Sequence, residues 1–121
     1  MLIEQFLNNF YDCLHFSQTE AFPAERFASL FAEHAVLIEH QPHGFQTLSA
    51  AEFIASMNAY QAEMIGTFHE RQTNFQVSEE AGVLIVDSDY EKQINDQHFT
   101  GTNHMILTEI QGQLKIISIV F

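Results

Sequence analysis

The sequence predicts an α+β fold, in which three N-terminal helices pack on a strongly curved, mostly antiparallel sheet that forms a cone-shaped α+β barrel. Before residue 65, apolar residues recur at helical spacing in three segments. From Thr67 onward they follow the period of two that is typical of strands, and short turn sequences separate four long strands. The length of 121 residues suits a single domain over residues 1–121.

The first two helices are predicted from their apolar faces. A helix over residues 2–16 has one apolar side, formed by Ile3, Phe6, Leu7, Phe10 and Leu14. Cys13 lies in this helix, and because it is the sole cysteine we expect a small buried hydrophobe and no internal disulfide. Pro23 suits the first position of a second helix, which is expected to end near Glu33.

A short hairpin and a third helix follow. Two short strands, over residues 36–39 and 45–48, flank a turn that contains proline and glycine. Ser49 and Glu52 have the Ser-x-x-Glu spacing of a capping box, in which each residue satisfies a backbone N–H group at the start of a helix. This signal predicts a third helix over about residues 50–64.

Strand pairing sorts the side chains of the second half onto two sheet faces. The strands are predicted over residues 67–78, 83–94, 98–110 and 113–121. With Asn95-Asp96 as a two-residue turn, regular alternation directs a polar group toward the helices, at the mouth of a cavity: His69, Arg71, Ser88, Tyr90 and Asn103. The opposite face is expected to suit a homodimer contact and to carry Glu70, Gln72, Ile117, Ile119 and Phe121.

The composition limits the partners of the protein. Four scattered basic residues stand against sixteen acidic ones, for a net charge of -12. Because phosphate binding needs clusters of lysine and arginine, nucleic acids and anionic membranes are poor partners. No apolar segment approaches the ~20 residues of a membrane span, and the N-terminus lacks the basic region of a signal peptide, so a cytoplasmic location is expected. Twelve phenylalanines predict a core or pocket walled by Phe rings.

Several segments resemble the nuclear transport factor 2-like superfamily, which includes polyketide-cyclase-like and ketosteroid-isomerase-like proteins. These segments are FASLFAEHAVLIEH after the first helix, SAAEFIASM in the capped helix and TGTNHMILTEIQGQLKIISIVF in the last strands. The order of elements along the whole chain matches as well. The resemblance implies a curved sheet wrapped on helices, a cone-shaped pocket and frequent dimers. Because the superfamily contains isomerases, cyclases, dehydratases, hydrolases and non-enzymatic binders, the fold does not assign an activity.

The resemblance also implies roles for single residues. In the ketosteroid-isomerase branch a carboxylate base stands at a strand end, and Glu39 is the matching residue, whose pKa would rise in a Phe-lined pocket. Tyr11 is the nearest match to the hydroxyl that donates to the developing oxyanion. Asn103 stands where that branch has a second donor, a protonated Asp. His40 is the alternative base if a bulge exchanges it with Glu39, and a solvent-exposed strand end is the simpler interpretation of Glu39.

Other residues of the predicted pocket are candidates for ligand binding. Arg71 is expected to pair with Glu39 or with a ligand carboxylate, because a buried guanidinium needs a partner. The remaining candidates are His69, Ser88, Tyr90 and Phe99. His40 and His43 lie across a turn with no third ligand close in sequence, so no metal site is expected. The sequence favours a protein that binds a small apolar or carbonyl-bearing molecule. It acts either as a cofactor-independent isomerase, cyclase or dehydratase, or as a non-catalytic binding or assembly module.

Overall fold

Three helices and a seven-stranded sheet form the computed structural model, which describes residues 2–121. The helices are α1 (Leu2–Asp12), α2 (Ala24–Ala28) and α3 (Ala50–Glu63). The strands are β1 (His15–Ser17), β2 (Phe31–Gln41), β3 (Gly44–Ser49), β4 (Thr67–Glu80), β5 (Val83–Ile94), β6 (Gln97–Ile110) and β7 (Gln113–Val120). The sheet curls around the helices, so the predicted cone-shaped α+β fold is confirmed. None of the helices within residues 2–121 is long and apolar enough to cross a membrane.

The sheet has the order β1-β4-β5-β6-β7-β2-β3, and all neighbours are antiparallel except β2 and β7, which run parallel. The predicted four-stranded meander forms its centre. The predicted hairpin, now β2 and β3, extends this sheet through the parallel pair. As a result, the end of β2 lies beside the end of β7, where His40 N–H donates to the Phe121 carbonyl at 2.9 Å.

The predicted first helix was too long. It ends at Asp12, and β1, whose first two residues were expected to belong to that helix, pairs with β4 at the edge of the sheet. Leu14 links the two elements, because its carbonyl accepts the Glu70 N–H at 2.9 Å. The helical spacing continues past the true end because Cys13 and Leu14 remain buried in the same core. Cys13 is the buried hydrophobe that the sequence predicted.

The predicted second helix was also too long. It ends at Ala28, and Phe31 already belongs to β2, where it pairs with Ile116 of β7. Phe27 and Phe31 mimic helical spacing because both rings enter one aromatic cluster, with ring centroids 5.1 Å apart. The third helix agrees with its prediction, and both hydrogen bonds of the Ser49 capping box are present.

A β-bulge in β4 reverses the faces that regular alternation predicts for the first half of that strand. Gln72 pairs with Tyr90 and Asn74 with Asp89, so Thr73 is an extra residue without a partner. Beyond the bulge, Phe75 and Val77 face the helices as predicted. Before it, Phe68, Glu70 and Gln72 turn inward.

The predicted orientation of His69 and Arg71 was therefore wrong, because both lie on the outer side of β4. A second bulge acts in the same way on β7. Leu107 pairs with Ile116 and Ile106 with Ser118, which leaves Ile117 without a partner. Ile119 and Phe121 consequently face the core, although regular alternation placed them on the outer face.

Gly66 and Asn95 hold the start of β4 against the β5–β6 turn. Asn95 Oδ1 accepts the Thr67 N–H at 2.8 Å, and Asn95 Nδ2 donates to the Ile65 carbonyl at 2.9 Å. Gly66 has a φ of +103°, and an added Cβ would overlap the Asn95 side chain. Glycine is thus required here both by the backbone conformation and by the close approach of Asn95.

We predict that Gly66→Ala destabilises the fold by about 2 kcal/mol or more, because it adds backbone strain to the loss of the Asn95 hydrogen bonds. Gly82→Ala is the matched control, since Gly82 has a φ of +83° and open space where a Cβ would lie. Urea unfolding of both variants measures the difference. Equal losses of stability would show that the Asn95 contact contributes nothing.

Candidate functional site

A cavity of about 190 Å³ lies between the helices and the inner face of the sheet. Its walls are mainly apolar side chains: Phe10, Leu14, Phe27, Phe31, Leu37, Phe53, Met57, Phe68, Ile119 and Phe121. Five polar side chains also line it: Glu39, Glu70, Tyr90, Lys92 and Asn103. The predicted Phe-walled pocket is present, and few polar groups in an apolar wall are the usual composition of a small-molecule site.

The volume of the cavity limits what it can enclose. A cavity of ~150 Å³ in another protein is large enough to hold benzene. The cavity of this chain, at about 190 Å³, suits one ring with small substituents. It is too small to enclose a four-ring steroid.

Glu70 is the most deeply buried carboxylate in the cavity wall, with 8% of its surface exposed. The bulge at Thr73 turns it inward, and its Oε2 accepts a hydrogen bond from Asn103 Nδ2 at 3.1 Å. Burial raises the pKa of the Glu70 carboxyl, while the Asn103 hydrogen bond and the Lys92 charge partly oppose this rise. A carboxyl with a raised pKa in a cleft is a frequent mark of a functional group.

A chain of hydrogen bonds fixes Asn103 in place. Asn103 Nδ2 also donates to the Tyr11 hydroxyl at 3.0 Å, and this hydroxyl lies 2.6 Å from Ser88 Oγ. Ser88 Oγ in turn donates to Gln72 Oε1 at 2.6 Å. Because the single Ser88 proton is used there, Tyr11 must be the donor to Ser88. Burial raises the pKa of Tyr11 to about 12, so its hydroxyl keeps its proton at neutral pH.

Tyr11 and Asn103 are thus brought together, as the resemblance implied, but their donors are engaged within the protein. The two amide hydrogens of Asn103 bind Tyr11 and Glu70, and the Tyr11 proton binds Ser88. Asn103 lines the cavity, whereas Tyr11 and Ser88 lie behind its wall. The chain of bonds therefore positions Glu70 rather than offering free donors to a ligand.

The structure separates the two candidate bases at the end of β2. Glu39 faces the cavity, and His40 is exposed on the opposite side of the strand. This placement agrees with regular alternation in β2. His40 does not reach the cavity, so no bulge exchanges it with Glu39.

The predicted ligand-binding residues divide between the cavity and the outer surface. Tyr90 lines the cavity with its ring over Gly101, and Ser88 lies in the hydrogen-bond chain. His69 stacks on His15 with ring centroids 4.5 Å apart, outside the cavity. Arg71 also lies outside the cavity, so the expected pairing with Glu39 was wrong.

Arg71 binds Glu91 instead, with 3.1 Å between Nη2 and Oε2. Phe99 is 43% exposed, and the Lys92 ammonium nitrogen lies 5.5 Å from the centroid of its ring.

Glu70, Gln72 and Lys92 are the site residues that the sequence did not predict. Glu70 and Gln72 precede the bulge, and no turn signal in the sequence marks an extra residue at Thr73. Lys92 follows Tyr90 by two residues on β5, so regular alternation already directed it toward the cavity, but it was not among the predicted site residues. One feature of the sequence did indicate an irregularity in β4. Regular alternation buried the Arg71 guanidinium with no assured partner, and such a buried charge is unfavourable.

Comparisons with known proteins identify the fold. No family model and no curated protein matches the sequence. Among solved structures, a protein provisionally named a scytalone dehydratase from Novosphingobium aromaticivorans has a TM-score of 0.73 at 14% identity, over 98% of this chain and 79% of its own. Aln2 from a Streptomyces species has a TM-score of 0.72 at 14% identity, over 98% and 85%.

A protein of unknown function with a cystatin-like fold from Nostoc punctiforme has a TM-score of 0.71 at 12% identity, over 98% of this chain and 86% of its own. A protein from Pseudomonas putida that is described as NTF2-like and of unknown function has a TM-score of 0.70 at 11% identity, over 98% and 79%. Similarity at this level of identity establishes the fold alone. The chain has the nuclear transport factor 2-like fold, as its sequence predicted.

Proposed function

We propose that the protein is a cofactor-independent enzyme that transfers a proton within a small, mainly apolar carbonyl compound, in a reaction of the isomerase, cyclase or dehydratase type. The observation that carries this proposal is the buried Glu70 carboxyl, whose pKa is raised inside an aromatic cavity of ring size. A base works best when its pKa approaches the working pH, because it is then both ionised and basic enough.

The proposed reaction begins with ionised Glu70. Its oxygen takes a proton from the carbon next to the substrate carbonyl, the C–H electron pair moves into the new C=C bond, and the carbonyl oxygen becomes an enolate. Glu70 then returns the proton to another atom of the substrate. Asn103 and Tyr11 position the carboxylate, and the Tyr90 hydroxyl, which has no hydrogen-bond partner among the described residues, is the donor for the enolate oxygen.

Glu39 is the second carboxylate of the cavity and the base that the resemblance implied. We assign the proton transfer to Glu70 because it is more deeply buried and is held by Asn103. The alternative function is non-catalytic binding of the same class of ligand. The hydrogen bonds that link Asn103, Tyr11 and Ser88 favour that alternative. Their donors are all used within the protein, as is also expected of a purely structural network.

We predict that Glu70→Gln lowers the rate of α-proton exchange in a one-ring ketone by at least ~100-fold, because it removes the general base. Phenylacetone in D2O, followed by proton NMR, reports this step without knowledge of the complete reaction. Glu39→Gln is the matched variant in the same cavity. A loss in Glu39→Gln alone would assign the base to Glu39, and equal rates in all three proteins would leave non-catalytic binding.

We predict that Glu70→Gln gains stability over the wild type as the pH rises. The raised pKa means that folded Glu70 holds its proton more tightly than the unfolded chain does. Its favourable contribution is thus complete below the ordinary pKa of glutamate and is lost as the pH rises through the folded pKa. Glutamine does not ionise and escapes this loss.

Urea unfolding at pH 4 and pH 8 measures this difference. Glu79→Gln, at the exposed end of the same strand, controls for the removal of one negative charge from an acidic protein. A stability gap between Glu70→Gln and the wild type that does not widen with pH would contradict the burial of an ionisable Glu70.

We also propose a homodimer through the outer face of the sheet. Apolar residues on this face include Val36, Ile38, Phe45, Ile106 and Val120, on β2, β3, β6 and β7. Val36, Phe45 and Ile106 are exposed in the single chain. A second copy would cover this apolar area, which is a favourable change because apolar surface leaves water.

We predict that Ile106→Glu shifts the protein toward monomer, because it places a charge within the apolar area. Thr100→Glu is the control, since Thr100 lies on the same strand and face but in its polar half. Sedimentation velocity gives the oligomeric state. A wild-type monomer at all concentrations, or dissociation by both variants alike, would contradict the proposed interface.

A further inference from the structure

Lys92 differs from the other basic residues in its surroundings. Arg26 binds Asn9 and Asp12, Arg71 binds Glu91, and Lys115 donates to the Ser29 carbonyl. Within residues 2–121, the Lys92 ammonium has neither a hydrogen bond nor an ion pair, and the group it contacts is the Phe99 ring. Although the chain has sixteen acidic residues, none of those within residues 2–121 forms an ion pair with Lys92.

Lys92 lies at the cavity, where an ammonium group without a counter-ion is unfavourable. It is partly buried in the cavity wall, directly opposite Glu70 on one neighbouring strand and Phe99 on the other. Glu39 and Glu70 line the same cavity, yet neither carboxylate forms an ion pair with the Lys92 ammonium. An ammonium group that loses water without gaining a counter-ion is unfavourable, and a bound anion would remove this cost.

We propose that Lys92 binds the carboxylate of the ligand, so that the cavity takes small one-ring carboxylic acids. The carboxylate would accept a charge-assisted hydrogen bond from the Lys92 ammonium, while the ring lies among the phenylalanine side chains. This proposal names the substrate class of the proposed enzyme and rests on that function for the reaction at Glu70, although the binding step stands without it.

The negative charge of the protein does not oppose this binding strongly. Exposed charges farther than ~8 Å from the cavity are largely screened at physiological ionic strength. Inside the cavity, Oε2 of Glu70 is already engaged by the Asn103 amide, and Lys92 faces Glu70 from the neighbouring strand. Glu39 remains, and an amine bound to Glu39 is the competing expectation.

Binding of three probes of similar size tests the proposal: phenylacetate, which is anionic, phenylacetamide, which is neutral, and 2-phenylethylamine, which is cationic. Isothermal titration of the wild type should give phenylacetate at least ~10-fold tighter binding than phenylacetamide, as expected for one hydrogen bond to a charged group. Lys92→Met should remove this preference and leave phenylacetamide binding unchanged.

Two further variants keep the result interpretable. Lys92→Arg should retain the preference, because it keeps the charge at the same place. Arg71→Gln removes the same charge outside the cavity and should change phenylacetate binding by less than ~3-fold, because exposed pairs contribute little. An equal loss in Arg71→Gln and Lys92→Met would show a long-range charge effect and overturn the proposal.

The remaining outcomes separate this proposal from the proposed function. Tighter binding of 2-phenylethylamine, or an unchanged preference in Lys92→Met, would overturn the role of Lys92 and leave the proton transfer by Glu70 intact. Loss of the preference in Lys92→Met, together with equal proton exchange in the wild type, Glu70→Gln and Glu39→Gln, would support Lys92 and overturn the enzyme. Failure of all three probes to bind would overturn the role of Lys92, while proton exchange of phenylacetone remains the separate test of the enzyme.

Discussion

The burial of the Glu70 carboxylate is the constraint on which the site depends. A carboxyl in an apolar wall needs a hydrogen bond, and Asn103 on β6 supplies it. Asn103 is held by Tyr11 on α1, and Tyr11 is held by Ser88 on β5. The bonds therefore connect the first helix to three adjacent strands of the sheet. The packing of α1 on the sheet and the position of the Glu70 charge in the cavity therefore depend on the same hydrogen bonds.

Much of this fold follows from local signals in the sequence, and the remainder does not. The capping box at Ser49 and the Asn95 turn are short-range features, so their predictions were confirmed. Glu39 was proposed from the resemblance, with His40 as the alternative, and Glu39 faces the cavity because the end of β2 alternates regularly. Glu70 could not be placed in this way, because the extra residue at Thr73 is stabilised by the pairing of β4 with β5 and leaves no mark of its own.

The cavity combines an apolar wall, which is not selective, with a specific set of charged and polar groups. Phenylalanine rings supply apolar volume that suits many ligands, and the fold by itself is shared by proteins of unrelated function. Specificity must therefore come from the few polar groups that interrupt the wall. In this chain they are two carboxylates, one ammonium, one phenol and one amide, from β2, β4, β5 and β6. Among them, Glu70 and Lys92 are direct cross-strand partners on β4 and β5 whose side chains form no ion pair.

The bulge in β4 also has an evolutionary consequence. A chain that lost Thr73 and kept its pairing with β5 would have a regular strand, in which Glu70 and Gln72 still face inward because their cross-strand partners Lys92 and Tyr90 do. One codon lost at this position would then remove the bulge and leave the residues of the cavity wall unchanged. Sequence alignments that shift a gap by a few positions in this strand would consequently equate residues of opposite charge and opposite face.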